Sequence, residues 1–273
     1  MSVRIYYFSG TGNSLHVARE LQKKIPGAEV VPMISALRSG DTGSAADTIG
    51  LVFPVYAFSM PSPVKDFLEK GKWKPSAYFF AVATRGGSPC KVFSHINNVL
   101  KKRGATLSAG FFVDMPNNYI PSFELDSEEE VAAKESEMKK QLDSMQKTIL
   151  EKRKSFEKDP HEKGIKSALL KNIVFPLLTF IAQKTRYGNM EKSFIADSKC
   201  TECGICQRVC PSGKIALSGG KPEWRKNVNC YSCFACLHYC PAQAVQLKGT
   251  KTAVRGRYHH REIYAQDIAA QKK

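Results

Sequence analysis

The sequence predicts an α/β domain followed by a small cysteine-rich domain. Up to about residue 158, short apolar runs rich in β-branched and aromatic residues alternate with stretches of helical periodicity. From Cys200 to Cys240, eight cysteines form two runs with the spacing C-x2-C-x2-C-x3-C-P, and the second run repeats the first thirty residues later. A chain of 273 residues has room for one ordinary domain and a smaller one.

The alternation begins with Val3 to Phe8, a run of apolar, β-branched and aromatic residues that predicts a buried strand. The strand leads into the loop S-G-T-G-N-S, and a helical pattern with Leu15, Ala18 and Leu21 on one face follows. A strand, a loop of small and hydroxyl residues and a helix together favour an anion site, because backbone N–H groups and the helix dipole attract phosphate.

This loop lacks the signatures of two other kinds of phosphate site. Leu15 stands where the dinucleotide fingerprint G-x-G-x-x-G has its third glycine, and the lysine of a nucleoside-triphosphate loop is absent. A hydroxyl-rich loop without lysine suits a monophosphate such as that of FMN, although a glycine-rich turn of this kind can also be merely tight.

Four residues of the loop match the first loop of the flavodoxin family, whose pattern is Ser/Thr-x-Ser/Thr-Gly-x-Ser/Thr, so the N-terminal half resembles that family. The resemblance implies a flavodoxin-like doubly wound parallel sheet of order 2-1-3-4-5, with the flavin at the switch point between strands 1 and 3. It also implies that the FMN phosphate is bound by the first loop, at Ser9, Thr11, Gly12, Asn13 and Ser14.

The remaining apolar runs occur in the order that this fold requires. Residues 28–31, 49–53, 78–83 and 105–113 are predicted as strands two to five, and helical patterns cover residues 62–70 and 91–103. Residues 33–46 predict only a weak helix or a loop.

The resemblance places the flavin ring between the loops that follow the third and fourth strands. Tyr56 and Phe58 are candidates to stack on the ring, with ordinary packing as the alternative. Arg85 could favour an anionic reduced flavin or be a solvated cation, and Asn117 to Tyr119 could close over the flavin. The predicted ring contacts are Pro54, Val55, Tyr56, Ala57, Phe58, Thr84, Arg85, Gly86 and Gly87.

The eight grouped cysteines predict two 4Fe–4S clusters, because three closely spaced thiolates wrap one face of a cubane and a distant fourth completes it. The fourth cysteine of each run is expected to ligate the other cluster. One predicted set is Cys200, Cys203, Cys206 and Cys240, and the other is Cys230, Cys233, Cys236 and Cys210.

Two other uses of these cysteines fit the sequence less well. Zinc knuckles usually show two cysteine pairs, not a triplet with a fourth cysteine before proline. A disulfide framework needs an oxidising compartment, which nothing else in the chain indicates. The ninth cysteine, Cys90, is either a redox-active thiol beside the flavin or a quiet structural one.

Between the two domains the composition changes twice. Residues 126–158 predict a long charged helix with one apolar stripe, expected to cover the sheet, and residues 165–182 are the most apolar part of the chain. Lys166, Lys171 and Pro176 interrupt that apolar stretch, so it predicts a buried connector or a surface that docks a partner or a membrane, not a membrane span.

These features predict four parts: a flavodoxin-like FMN-binding domain at 1–164, a connector at 165–189, a two-cluster domain at 190–250 and a basic tail at 251–273. The tail and its histidine pair, His259 and His260, are expected to be solvated, with metal binding as the alternative.

The formal net charge of +16 would fall to about +10 with two oxidised clusters and one flavin phosphate bound. The positive charge is dispersed and no nucleic-acid motif accompanies it, so we expect no nucleic-acid partner but steering of an acidic redox protein. Residues 1–14 lack the features of a secretory signal, which predicts a cytoplasmic protein.

The whole pattern resembles a family of anaerobe proteins that fuse a flavodoxin-like domain to a bacterial-type ferredoxin with two 4Fe–4S clusters. The resemblance implies an electron-transfer flavoprotein, the leading hypothesis. A flavin-dependent reductase is the alternative, with Val55 to Met60 and Asn117 to Tyr119 lining a substrate pocket. A regulatory protein whose clusters sense oxygen or iron is a third hypothesis, and direct use of NAD(P)H is not expected because no nicotinamide site is recognisable.

Overall fold

The computed structural model describes residues 2–87, 91–159, 173–174, 177–178, 180–181 and 190–273. Cys90 and most of the predicted connector, 165–189, therefore lie outside the described residues. Among those described, no helix has both the length and the apolar character needed to cross a membrane.

A six-stranded parallel sheet forms the centre of the first domain. Its spatial order is β2-β1-β4-β6-β7-β8, and β1 lies between β2 and β4. The first five of these strands confirm the predicted flavodoxin-like order. The strands of the domain are β1 (Val3–Tyr7), β2 (Ala28–Pro32), β3 (Gly43–Ser44), β4 (Thr48–Pro54), β5 (Lys72–Trp73), β6 (Tyr78–Arg85), β7 (Leu107–Asp114) and β8 (Ser155–Phe156), of which the short β3 and β5 pair with each other.

The described residues of this domain form five helices, of which α5 is the longest. It begins at a capping box, in which the Ser127 side chain accepts a hydrogen bond from the Glu130 amide and the Glu130 carboxylate accepts one from the Ser127 amide. Its buried apolar side, which includes Met138, Leu142 and Met145, packs against α1 and β7, as the sequence predicts. The helices are α1 (Asn13–Lys24), α2 (Met33–Ser39), α3 (Ser62–Lys70), α4 (Val92–Lys102) and α5 (Glu128–Leu150).

The predicted end of the long helix at residue 158 is wrong. The helix ends at Leu150, Lys152 adopts a left-handed conformation with φ +50°, and the chain turns to form β8 beside β7. The Glu157 amide then donates to the Gly110 carbonyl oxygen. This two-residue strand extends the sheet by a sixth member that the sequence did not predict.

The cysteine-rich domain is built from two similar halves. In each half a short helix, α6 or α7, carries the third cysteine of its run, and a strand follows the fourth. Ile215 and Val245, which occupy equivalent places in the two repeats, are both buried. The elements are β9 (Phe194–Ala196), α6 (Ile205–Val209), β10 (Ile215–Ser218), β11 (Lys221–Trp224), α7 (Ala235–His238) and β12 (Val245–Leu247), with antiparallel pairs β9–β12 and β10–β11.

The C-terminal residues are not a solvated tail, contrary to expectation. After a 3₁₀ turn at Lys251–Ala253 the chain returns to the first domain, forms α8 (Ala265–Ala269) and ends in another 3₁₀ turn at Ala270–Lys272. His260, Ile263, Ile268 and Gln271 are buried. His259 stacks on the Tyr239 ring with centroids 4.5 Å apart.

Candidate functional site

The loop between β1 and α1 is a buried cradle of backbone amides. Gly12 adopts φ +103°, a conformation that favours glycine, and its amide donates to the Ser9 hydroxyl oxygen at 3.2 Å. The amide nitrogens of four buried loop residues have no hydrogen-bond acceptor among the described residues: Gly10, Thr11, Asn13 and Ser14. Helix α1 begins within this loop, so its positive dipole end faces the same space.

These residues fit a phosphate group. A buried amide without an acceptor costs about 1–3 kcal/mol, and an anion in the cradle would supply acceptors for several amides at once. No lysine or arginine belongs to the loop, so recognition depends on neutral donors, which suits the monophosphate of a flavin nucleotide.

Hydrogen bonds hold the loop against the neighbouring strand ends. The Ser14 hydroxyl lies 2.8 Å from the Thr84 hydroxyl at the end of β6. The Asn118 side-chain amide donates to the Thr11 hydroxyl at 2.6 Å, and the Asn13 side-chain amide donates to the Pro116 carbonyl oxygen at 3.1 Å. The carboxyl ends of β1, β6 and β7 therefore meet at one edge, as a doubly wound sheet requires of a ligand site.

A cavity at this edge brings most of the predicted flavin residues together. It is lined by residues 9–14 apart from Gly12, by residues 54–56, by residues 84–86 and by residues 116–118. Gly12, Ala57, Phe58 and Gly87 do not line it. Gly10 and Pro116 do, although the predicted contacts did not include them.

The cavity has a volume of about 40 Å³ and is partly open to solvent. That volume holds about one or two water molecules. The loop at residues 54–61 contains a tight turn, in which Tyr56 and Ser59 exchange two backbone hydrogen bonds at 2.9 and 3.0 Å. Ala57 and Phe58 both have positive φ values there, which is strained backbone for residues with side chains.

The two aromatic candidates of this loop differ in position. Tyr56 borders the cavity, and its ring meets Phe8 edge-on with centroids 6.4 Å apart. Phe58 is partly buried against the apolar core and does not reach the cavity. Tyr56 therefore remains the candidate for a ring contact.

Arg85 is not a solvated cation, so that interpretation of the sequence is wrong. It lies at the end of β6, is 5% exposed and forms ion pairs with Asp114 at 2.9 Å and Asp159 at 2.8 Å. Its guanidinium carbon lies 4.0 Å above the centroid of the Phe112 ring. Burial disfavours the charge, but hydrogen bonds to both carboxylates outweigh it and raise the pKa of Arg85. Two carboxylates thus balance the charge that Arg85 could offer to a flavin.

The first predicted cysteine set surrounds a single cavity. Cys200, Cys203 and Cys206 of the first run and Cys240 of the second all line it, which is the crossed arrangement that the spacing predicts. Gly204 has φ +71° at the start of α6, where the chain wraps closely around this cavity. Cys203 is exposed, whereas Cys206 is buried and burial raises its pKa to about 11.

The second predicted set is more deeply placed. Burial raises the pKa of the Cys236 thiol well above its usual value, and the nearby thiols of Cys210, Cys230 and Cys233 raise it further. The Ser232 amide donates to the Cys230 sulfur at 3.3 Å, as the Ala244 amide does to the Cys240 sulfur at 3.2 Å. Buried, grouped thiols with N–H donors aimed at their sulfurs fit an iron–sulfur cluster, whose iron replaces the protons.

The second cysteine run packs directly against the loop at residues 9–14, the candidate phosphate loop. A Cβ atom on Gly10 would lie only 2.3 Å from the Cys233 carbonyl oxygen, so only glycine permits this approach. The Tyr231 ring meets Phe8 edge-on at a centroid distance of 6.0 Å. His238 joins the same contact, with Nε2 2.8 Å from the Asn118 carbonyl oxygen. The first cysteine set, by contrast, has a cavity lined only by residues of its own domain.

A family model described as a 4Fe–4S dicluster domain matches residues 199–245. A flavodoxin from Streptococcus pneumoniae TIGR4 is similar at 16% identity, covering 53% of this chain and 99% of that one with a TM-score of 0.33. A cysteine-to-serine mutant of a Pseudomonas aeruginosa flavodoxin is similar at 15% identity, with 55% and 99% coverage and a TM-score of 0.37. An azoreductase from Bacillus anthracis is similar at 12% identity, with 53% and 100% coverage and a TM-score of 0.33. No curated protein matches the chain.

The strand order and the matched domain together define a class of protein. The chain joins a flavodoxin-like α/β domain to a 4Fe–4S dicluster domain. The match at residues 199–245 indicates an iron–sulfur protein with a role in electron transfer or redox chemistry.

Proposed function

We propose that this protein is an electron-transfer flavoprotein, in which FMN at the first loop and two 4Fe–4S clusters on the eight cysteines exchange electrons within one chain. Clusters carry one electron at a time, whereas FMN can store one or two. The observation that carries the proposal is the contact between Gly10 of the phosphate loop and Cys233 of the second cysteine run.

The chain's own residues bring the two sites together and keep them in place. Gly10 lets the backbone of the second cysteine run approach the phosphate loop, and Phe8, Tyr56 and Tyr231 fill the adjoining space with packed rings. Tethering two domains raises their effective concentration to about millimolar, so transfer between them does not wait for a diffusional encounter.

The two cysteine sets differ in their distance from the phosphate loop and in their exposure. The set of Cys210, Cys230, Cys233 and Cys236 belongs to the side that meets the phosphate loop, and the other set carries the exposed Cys203. We therefore propose that a redox partner meets the protein on the side of Cys203. The net charge of +16 favours an acidic partner.

Anaerobic purification followed by counting of iron, acid-labile sulfide and flavin tests the proposal. We expect about eight iron and eight sulfide per chain, together with about one FMN. Rapid mixing of this protein with a low-potential reductant should then reduce the clusters and the flavin within one turnover time. Zinc in place of iron, no flavin, or clusters that reduce while the flavin stays oxidised would each contradict it.

A further inference from the structure

The C-terminal segment 258–271 lies along the phosphate loop and binds its acceptors. The Gln271 side-chain amide donates to the Ser9 carbonyl oxygen at 2.8 Å. The His260 backbone amide donates to the Thr11 carbonyl oxygen at 2.8 Å. The Tyr258 hydroxyl donates to the Asn13 side-chain oxygen at 2.7 Å. Three donors of the segment thus meet acceptors at alternate positions of the loop.

The segment binds fewer of the loop's hydrogen-bond donors than of its acceptors. Of its backbone amides, Ser9 donates to Gln271 at 2.9 Å and Gly12 donates to the Ser9 hydroxyl. The remaining four, named above as the cradle, have no acceptor among the residues that the structure describes. An oxygen pointing into the cradle would repel a phosphate, whereas a free N–H attracts it. The segment therefore holds the acceptors away from the cradle and leaves the donors available.

Two further contacts fix the segment in this position. The His16 and His260 rings stack with centroids 3.8 Å apart, and their Nε2 atoms lie 2.9 and 3.5 Å from the two carboxylate oxygens of Glu135. The Glu262 amide donates to His260 Nδ1 at 3.3 Å, so His260 Nε2 carries a hydrogen and donates to Glu135. This group therefore joins the segment to α1 and α5 as a hydrogen-bonded clamp.

The segment also contacts the cysteine-rich domain. The Tyr239 hydroxyl donates to the Ile263 carbonyl oxygen at 3.1 Å, and the adjoining Lys272 ammonium donates to the Gln207 carbonyl oxygen at 2.9 Å. A Cβ atom on Gly12 would lie 2.8 Å from the Ile263 Cβ atom, so the loop and the segment pack tightly. One segment thus touches both domains where they meet.

We propose that residues 258–271 are a third part of the flavin site, with Gln271 and Tyr258 as positioning residues for the phosphate loop. The proposal rests on the proposed function in that FMN is the ligand of the loop. It assigns the segment to recognition of the phosphate and not of the flavin ring, because its hydrogen bonds reach residues 9, 11 and 13.

The test is the affinity of the full-length protein for FMN and for riboflavin, which lacks the phosphate, measured by quenching of flavin fluorescence. Gln271→Ala removes two hydrogen bonds to the loop, and we expect it to weaken FMN binding about tenfold or more. Riboflavin binding should change little. Tyr258→Phe should act in the same direction and less strongly, since it removes one bond. Gln266→Ala, an exposed glutamine of the same segment, is the matched control and should leave both affinities unchanged.

The ³¹P chemical shift of bound FMN is a second measurement, which tests the positioning role if the affinity for riboflavin is too weak to measure. The chemical shift should change in Gln271→Ala and remain unchanged in Gln266→Ala. Equal losses for FMN and riboflavin, or an unchanged FMN affinity and ³¹P resonance, would overturn the positioning role. If the unaltered protein binds no flavin, the proposed function fails instead. The role of the segment in phosphate binding is then tested alone, by comparing the broadening of the ³¹P line of inorganic phosphate between the unaltered protein and the same variants.

Discussion

The carbonyl oxygen of Cys233 lies against the Cα atom of Gly10, so closely that a Cβ atom there would be 2.3 Å away. Gly10 belongs to the phosphate loop and Cys233 to the second cysteine run, so this contact joins the two candidate redox sites through adjoining backbone. A side chain at position 10 must push the cysteine-rich domain outward, because carbonyl oxygens in a packed backbone cannot rotate away.

Gly10→Ala should therefore weaken the docking of the two domains by about 1–3 kcal/mol, the usual cost of overpacking. Both cofactors should remain bound, and transfer from clusters to flavin after rapid reduction should become slower. Gly27→Ala is the control for loss of stability alone, since its Cβ atom would meet nothing within 4 Å and its φ of +72° adds a backbone strain that Gly10→Ala lacks. An unchanged transfer rate in Gly10→Ala would mean that this contact does not matter for the relay.

Exchange of the fourth cysteine between the two runs can be tested by iron counting. Cys203 and Cys240 line one cavity, so Cys203→Ala with Cys240→Ala should remove one cluster and leave about four irons. Cys230→Ala with Cys240→Ala should damage both clusters and leave almost no iron. The opposite pattern, with about four irons in the second double variant and almost none in the first, would show that each run keeps its own fourth cysteine.

The sheet order could be predicted because the loop at residues 9–14, directly after Val3 to Phe8, resembles the first loop of the flavodoxin family. The spacing of the cysteine runs predicts which thiols share a cluster, and Cys200, Cys203, Cys206 and Cys240 do line one cavity. The role of the C-terminal segment could not be predicted. Gln271 and Tyr258 bind partners 262 and 245 residues away, and no local pattern marks a polar side chain that will meet a distant loop.

The burial of Arg85 in the first domain could not be predicted from the sequence either. Its place after a strand was clear, but its burial depends on Asp114 at the end of β7 and on Asp159 after β8. The short β8 itself carries only two residues, too few for a periodic pattern.

The ion pair between Arg85 and Asp159 should be costly to break. The side chains of both are almost fully buried, whereas that of Asp114 is 38% exposed. Asp159→Asn leaves the buried guanidinium with less compensation and should lower the free energy of unfolding by about 3 kcal/mol. Asp114→Asn should cost clearly less, because water can replace the lost carboxylate. Urea unfolding followed by circular dichroism measures both, and equal losses would show that burial does not decide the difference.

Glu135 should make the C-terminal segment sensitive to acid. Burial opposes its charge, but hydrogen bonds from His16 and His260 outweigh burial and hold the pKa of the carboxyl well below its ordinary value of 4.5. A pKa lowered in the folded protein adds stability above the unfolded value and loses it as pH falls. The clamp is therefore fully effective above about pH 4.5 and should lose about 1.4 kcal/mol for each pH unit below it.

Glu135→Gln removes this contribution, so it should be less stable than the unaltered protein at neutral pH, by about 1–3 kcal/mol for hydrogen bonds to a charged group. The difference should shrink when both are unfolded in urea at about pH 3.5, where the carboxyl of the unfolded chain is already protonated. Glu137→Gln provides the control on the same helix, since its side chain is 60% exposed and its lysine partner lies 3.9 Å away. A stability difference that stays constant with pH would mean that Glu135 acts through packing, because the loss of a charge effect must follow the titration of that charge.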